Sequence, residues 1–282
     1  MKRKILKAAA AVIALFLTGI LLFFANAFMG NPVSRALAKR TAEKHLEEKY
    51  AGTDYEIESV GYDFKATRYY AHIISPASPD SSFTLYLGMN GKLITDTYGD
   101  YVLSGLNTAL RLDREYRAAA DYVFDSPGFP FECEISYGDL EFTSREYAAN
   151  PDVKPYALIT EELIRDGEYD IGALGAQAGK IVIYVNDTDL SAENAARIMI
   201  KIRSLMDSAG VGFKEMDFML WPPKPVEGPR TDEGIYILGF PYEDIYEEGM
   251  SERVIKVWEE TQAYFREQDE KYKESFPGKT GN

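Results

Sequence analysis

The chain has 282 residues, 46% of them hydrophobic, and a formal net charge of −14. That apolar share belongs to a globular protein and excludes a disordered one, while a single cysteine excludes an internal disulfide. The charge is uneven: residues 1–40 hold seven Lys or Arg and no acid, leaving 24 bases against 45 acids, or −21, for the remainder. A body so acidic repels phosphate backbones, which excludes nucleic acid as a partner. It also repels anionic lipid headgroups and wall polymers unless cations bridge them.

Met1-Lys2-Arg3-Lys4 leads into an apolar stretch from Ile5 to Phe28, broken by Lys7 near its start. Within it, Ala8 to Phe24 is interrupted only by Thr18 and Gly19. Extension to Phe28 gives about 20 residues, enough to cross roughly 30 Å of hydrocarbon as a helix. Lys7 can snorkel, and the basic tip predicts a cytoplasmic N-terminus with the body outside. Arg35, Lys39 and Arg40 behind the segment soften that asymmetry. Ala25-Asn26-Ala27 matches the small-x-small pattern of a cleaved signal, so processing after Ala27 stays open. A signal's apolar region runs about 7–15 residues, and this longer one favours an uncleaved anchor. A lipoprotein is excluded, because Cys133 lies far from the segment.

Gly30-Asn31-Pro32 marks the next break. Asn31 suits a helix cap and Pro32 the first helical position, and the helix runs to about Tyr50. Ala38, Ala42, Leu46 and Tyr50 form its stripe, with His45 beside it. Strands are predicted at Tyr55–Phe64, with Val60, Tyr62 and Phe64 on one side, and at Arg68–Ser75, Phe83–Leu87 and Leu93–Tyr98. Pro76 and Pro79 bracket a loop. Asn90-Gly91 reads as a two-residue hairpin turn, which would set Leu87 against Ile94 and Phe83 against Tyr98. A second helix is expected from about Tyr101 to Phe124, striped by Leu103, Leu106, Leu110, Ala120 and Phe124. Asp125-Ser126-Pro127-Gly128-Phe129-Pro130 stops it and reads as the domain boundary.

In the second half, Phe131 to Phe142 predicts a strand or hairpin and Tyr156 to Arg165 a helix. Lys180-Ile181-Val182-Ile183-Tyr184-Val185 predicts a central strand covered on both faces. Ser191 suits the cap of a helix whose Ala195, Ile198, Ile202 and Leu205 share a face, closed by Gly210. Phe213–Trp221 and Gly234–Phe240 predict two strands. Ser251 is expected to cap a final helix to about Lys273, with Val254, Trp258 and Phe265 inward. The expected organisation is a tip and anchor (1–29), an N-terminal α+β domain (30–126) and a C-terminal α+β domain (127–282). Each domain would carry an antiparallel sheet covered by helices.

No motif assembles a chemistry, so no catalytic, cofactor or metal residue is assigned. His45 and His72 fall on different elements, and zinc needs three or four His, Cys or acid ligands. Ser104-Gly105 lacks the nucleophile elbow's first glycine, since residue 102 is Val. Gly172, Gly175, Gly179 and Lys180 fail the phosphate-loop spacing, with Ile181 where Ser or Thr should follow, and read as a flexible connector. Asp187-Thr188-Asp189-Leu190-Ser191 opens like an EF-hand but has Ala192 and Ile198 where Gly and Glu belong. Its acids read as helix-capping groups. Cys133, flanked by Glu132 and Glu134, reads as an inert strand thiol. Asp113 falls at the edge of a helical stripe. Trp221-Pro222-Pro223-Lys224-Pro225 fits either a Pro-x-x-Pro ligand or a stiff loop between strands. The 20 tyrosines and 15 phenylalanines mostly occupy strand positions, where sheet packing explains them.

Four runs stand out: Asn26-Ala27-Phe28-Met29-Gly30-Asn31-Pro32-Val33-Ser34, Val102-Leu103-Ser104-Gly105-Leu106-Asn107-Thr108, Glu115-Tyr116 and Ser126-Pro127-Gly128-Phe129-Pro130. Together they resemble the YfjL-like proteins of Gram-positive bacteria. The resemblance implies an anchored protein with an N-terminal and a C-terminal family domain, and it transfers no activity. The helix-then-strands order of the first domain also resembles small regulatory domains of the PepSY kind, a likeness of fold alone.

The expectation is therefore a single-pass, extracytoplasmic, non-enzymatic binding or regulatory module. Its partners would be the membrane, through the N-terminal helix, and a protein or envelope component, with no cofactor. The alternatives are an acid-based envelope hydrolase using a carboxylate pair and a regulator or inhibitor of a membrane-associated enzyme.

Overall fold

The structure, a computed structural model, describes residues 2–225, 227–228 and 233–275. Met1 of the basic tip lies outside the described residues. The chain divides into two compact units, Met1–Thr108 with Leu163–Asp166, and Ala109–Glu162 with Gly167–Asn282.

In the first unit, α1 (Lys2–Met29) is the one helix among the described residues long and apolar enough to cross a membrane. Those of its side chains that are described find little protein to pack on: Leu15 is 74% exposed and Leu21 70%. Gly30 turns the chain at φ +72°. Asn31 then caps α2 (Pro32–Lys49), its Oδ1 accepting the Ser34 N–H at 2.7 Å, with Pro32 in the first turn. Ala38 and Ala42 are fully buried; their small side chains let α2 lie close on a four-stranded sheet.

That sheet is an antiparallel meander of β1 (Glu56–Asp63), β2 (Arg68–Ser75), β3 (Ser78–Leu87) and β4 (Leu93–Asp96), in that order. Alternation buries Tyr69, Ala71 and Ile73 of β2 against Phe83, Leu85 and Leu87 of β3. Three sequence expectations need correction here. The β3–β4 turn is not a two-residue one: Gly88 N–H donates to the Lys92 carbonyl and Gly91 N–H to the Gly88 carbonyl. Only Gly91 takes positive φ (+76°), so a three-residue loop with a bulge replaces the expected turn. It pairs Leu87 with Leu93 and Leu85 with Asp96. Pro79 lies inside β3, not in a loop; the turn is Pro76-Ala77 alone, flanked by the pair Ser75–Ser78. Proline is tolerated because β4 is too short to pair with that half of β3. There Asn107 Nδ2 donates to the Asp80 and Ser82 carbonyls instead. Phe64, expected on one strand side with Val60 and Tyr62, falls one residue beyond β1 and is 50% exposed.

The second helix is also interrupted. A π-helical turn, Gly99–Leu103, ends at Gly105 (φ +75°), and α3 runs from Leu106 to Phe124. The break shifts the helical phase. Leu103 and Leu110 are therefore exposed, and the buried stripe is Ala109, Leu112, Tyr116, Ala120 and Val123.

The second unit centres on a sheet of order β10-β9-β8-β5, built from β5 (Cys133–Leu140), β8 (Gly179–Asn186), β9 (Glu215–Trp221) and β10 (Ile235–Pro241). Its remaining elements are the short parallel pair β6 (Phe142–Thr143) and β7 (Leu158–Ile159), α4 (Ile171–Ala178), α5 (Ala192–Ser208) and α6 (Met250–Ser275). β8 and β9 are parallel, joined through α5, and the other neighbours are antiparallel. Ser191 caps α5 as expected, accepting the Asn194 N–H at 3.2 Å, and Ala195, Ile198, Ile202 and Met206 face the core.

Residues 156–165 do not form the expected helix: β7 is followed by a single 3-10 turn, Thr160–Glu162. Leu158 N–H donates to the Glu141 carbonyl and β7 pairs with β6, so tertiary pairing overrides helix propensity. The glycine-rich connector is instead the helix α4, with the Asp170 side chain accepting the Ala173 N–H. β8 is central, between β9 and β5: Ile181, Ile183 and Val185 are buried on one face, and on the other Val182 is buried while Lys180 and Tyr184 are partly exposed. α6 starts at Met250, which puts Ser251 inside its first turn. Phe265 is exposed, as is every residue from Ala263 to Glu274, because the helix continues past its inward residues Val254 and Thr261.

Candidate functional site

Strand alternation sorts the second sheet into an apolar face and a polar one. The parallel register sets Lys180 beside Glu215 and Val182 beside Asp217. Lys180, Tyr184, Glu215, Asp217 and Trp221 thus share the polar face. Glu215 and Asp217 are 6% and 8% exposed, and carboxylates so enclosed must be paired. Lys180 Nζ lies 2.7 Å from Asp217 Oδ2, and Lys154 Nζ lies 2.9 Å from Glu215. Asp217 Oδ1 also accepts the Gly239 N–H at 2.7 Å. That amide is turned inward by a bulge in β10 between Ile237 and Phe240, with Gly239 at φ +64°. The bulge also frees the Leu238 N–H to donate to Thr261 Oγ1 of α6 at 3.2 Å.

A cleft of about 430 Å³ opens over this floor, bordered by Lys154, Lys180, Asp217, Glu260, Thr261 and Tyr264. Burial works to lower the Lys180 pKa, but the hydrogen bond and charge of Asp217, with Glu215 and Glu141 behind it, prevail and raise it. The Tyr156 hydroxyl is raised by burial and then by neighbouring Glu215. Along the same face, Trp221 stacks on Tyr184 at 5.6 Å and meets Tyr236 at 5.8 Å. The polar face thus runs from a charged end to an aromatic one. Both carboxylates engage lysine ammonium groups, and Asp217 a backbone amide as well. They form a fixed polar floor to the cleft.

The first unit carries a separate polar cluster. Asp96 Oδ2 meets His45 Nε2 at 2.9 Å, Lys49 Nζ at 2.6 Å and the Tyr50 hydroxyl at 2.8 Å. Burial opposes the Asp96 charge, yet Lys49, His45, the Tyr98 amide and Tyr50 together hold its pKa down to about 2. Above this cluster Tyr50, Tyr55, Phe83 and Tyr98 pack as one aromatic group.

The residues singled out in the sequence take other roles. His72 stands 3.8 Å from Glu58, and Asp113 accepts the Leu140 N–H at 2.8 Å. Asp187 and Asp189 each accept the N–H two residues on, the geometry of a turn leading into α5. Among the described residues, no cluster of three or more His, Cys, Asp or Glu has the arrangement to hold a metal. Burial, then Glu132, pushes the Cys133 thiol up to about 12. The sequence reading missed the cleft. Its one local signal was two acids at alternate positions of an otherwise apolar strand, Glu215 and Asp217, each of which needs a partner.

Two family models cover most of this architecture. The YfjL-like N-terminal domain matches residues 3–97 and the YfjL-like C-terminal domain matches residues 115–255. The chain belongs to the YfjL-like family. Among solved structures, it is similar to a DUF5037 family protein from Ruminococcus gnavus ATCC 29149, at 16% identity and a TM-score of 0.22, over 65% of this chain and 73% of that one. No curated protein matches.

Proposed function

We propose that this chain is a single-pass membrane protein of a Gram-positive envelope, with its N-terminus in the cytoplasm and both units outside. In this reading the second unit binds a protein or envelope component in the cleft bordered by Lys154, Lys180 and Tyr264, without turning it over. The observation that carries the reading is α1, a 28-residue helix whose most apolar stretch is 0% buried within the fold. Such a surface calls for hydrocarbon around it. For the cleft, the support is its mixture of fixed charges and an exposed tyrosine beside an aromatic strip. That mixture suits a ligand with both polar and apolar parts.

External protease on whole cells, followed by intact-mass analysis of the membrane fraction, tests the anchor. The expected result is digestion of the body in unbroken cells and retention of residues 1–27. Protection until lysis would overturn the sidedness, and a mature chain starting at Phe28 would replace the anchor by a cleaved leader. For the cleft, a photo-crosslinking residue at Tyr264 should yield adducts in cells that are lost with Lys180→Met. The same group at Tyr122, which is 78% exposed, should not form them. Equal yields at both positions would sink the cleft as a binding site.

A further inference from the structure

The end of the first sheet nearest α1 is built unlike the rest of the chain. There is no slack linker: the Tyr69 hydroxyl accepts the Asn31 N–H at 2.6 Å and donates to the Asn31 carbonyl at 2.9 Å. A Cβ at Gly30 would fall 2.4 Å from that same oxygen and 2.9 Å from the Tyr62 ring. At the tip of the β1–β2 hairpin, the Phe64 ring lies 5.9 Å from Phe28, two residues before Gly30. Phe64 is 50% exposed, Phe28 60% and Val33 70%, so an apolar rim continues from α1 onto the folded unit.

The charge changes sign at the same end. Arg35, Lys39 and Arg40 stand on the first turns of α2, and Lys65 on the hairpin tip. Lys92 lies in the β3–β4 turn, which the pair Tyr69–Leu87 brings to the same end of the sheet. Of the nearby acids, Asp63 lies 3.7 Å from Arg68, Glu43 3.8 Å from Lys39 and Glu58, which borders the same groove as Arg35 and Lys39, 3.8 Å from His72. The opposite end, at the Pro76-Ala77 turn, carries Asp54, Asp80 and Asp166 instead.

We propose that this end of the first sheet is a docking surface for anionic phospholipid. Phe28, Val33 and Phe64 enter the interfacial layer, and Lys39, Arg40, Lys65 and Lys92 lie among the headgroup phosphates. The inference rests on the reading of α1 as a membrane anchor. Continuity with α1 argues for lipid as the occupant: aromatic rings followed by lysine and arginine are the order expected at a membrane boundary. Each base near an anionic leaflet adds attraction, while the acidic remainder of the chain is repelled by it. The first unit would therefore stand on the bilayer in a fixed orientation.

The test uses the full chain with Cys133→Ser, in vesicles of phosphatidylcholine and phosphatidylglycerol. Single cysteines Leu15→Cys, Phe64→Cys, Lys65→Cys and Ala77→Cys each carry a fluorophore quenched by spin-labelled lipid. All four positions are exposed, so the fold is retained. Strong quenching at Leu15, Phe64 and Lys65 with none at Ala77 is expected. The pair Lys39→Glu and Lys92→Glu, or pure phosphatidylcholine, should then lower quenching at Phe64 at least twofold and leave Leu15 unchanged. Quenching at Leu15 with Phe64 and Lys65 as dark to lipid as Ala77 would overturn the docking surface and spare the anchor. No quenching at Leu15 would overturn the anchor itself. Quenching at Phe64 indifferent to both the charge reversals and the lipid charge would overturn the anionic-lipid assignment.

Discussion

Gly175 of α4 stands against Gly212 so closely that a Cβ built on it would fall 2.2 Å from the Gly212 carbonyl oxygen and 2.4 Å from the Tyr116 ring. The Tyr116 hydroxyl donates to that same carbonyl at 2.9 Å. Helix, loop and tyrosine therefore meet at a point with no room for a methyl group. Gly175→Ala should cost at least about 1–3 kcal/mol through forced repacking. Gly128→Ala, where nothing lies within 4 Å of the added atom, should change stability by less than about 1 kcal/mol. Denaturant midpoints of the two variants check the contrast.

Tyr69→Phe removes one hydroxyl that serves both backbone groups of Asn31, the cap of α2. The ring still fills the core, so the loss isolates the hydrogen bonds. Leaving those groups unpaired should destabilise the first unit by about 1–3 kcal/mol. Thermal melts in detergent should record a lower midpoint, and amide exchange at the start of α2 should quicken.

Asp96 predicts an acid limb. Its folded pKa of about 2 lies below the roughly 3.9 of an unfolded aspartate. The stability it contributes is present above about pH 4 and is lost as pH falls from there through about 2. Lys49, 2.6 Å from its carboxylate, is 53% exposed, and solvent screening holds the effect to about 1–2 kcal/mol. Denaturant unfolding at pH 3 and pH 7 should show about half of this loss in the native chain and a flatter dependence in Asp96→Asn.

Cys133, pushed up to about 12 by burial and by Glu132, should be a poor nucleophile. At pH 8 the folded chain should react with a disulfide reagent about 100-fold or more slowly than the denatured chain. Comparable rates in the two states would show that the thiol lies open.

Much of the architecture was legible because local chemistry and tertiary structure agree. Asn31 and Ser191 both cap the helices they were expected to cap. Arg68–Ser75 forms its strand over the expected span, and two α+β units follow one apolar helix. Some misses were local, such as the three-residue β3–β4 loop; others come from a distant partner deciding a local choice. Gly172 and Gly175 sit on a helix face that packs against the Gly210 and Gly212 carbonyls with no room for a Cβ, a reason for glycine that no window around residue 175 reveals. Residues 156–165 read as helix until the Glu141 carbonyl takes the Leu158 N–H. The cleft was illegible for the same reason, since Lys154, Lys180, Asp217 and Thr261 span more than 100 residues and only the β8–β9 register and the β10 bulge bring them together.

The parallel pairing of β8 with β9 also has a kinetic side. The first sheet zips from neighbour to neighbour through short turns, so it can form soon after its own residues are synthesised. β8 must wait for α5 and β9 to arrive, and for β5, some forty residues earlier in the chain, to close on its other edge. Non-local closures of this kind are slow. Newly made chains should therefore pass through a stage in which the N-terminal half is already protected from proteases while the C-terminal half still depends on chaperones.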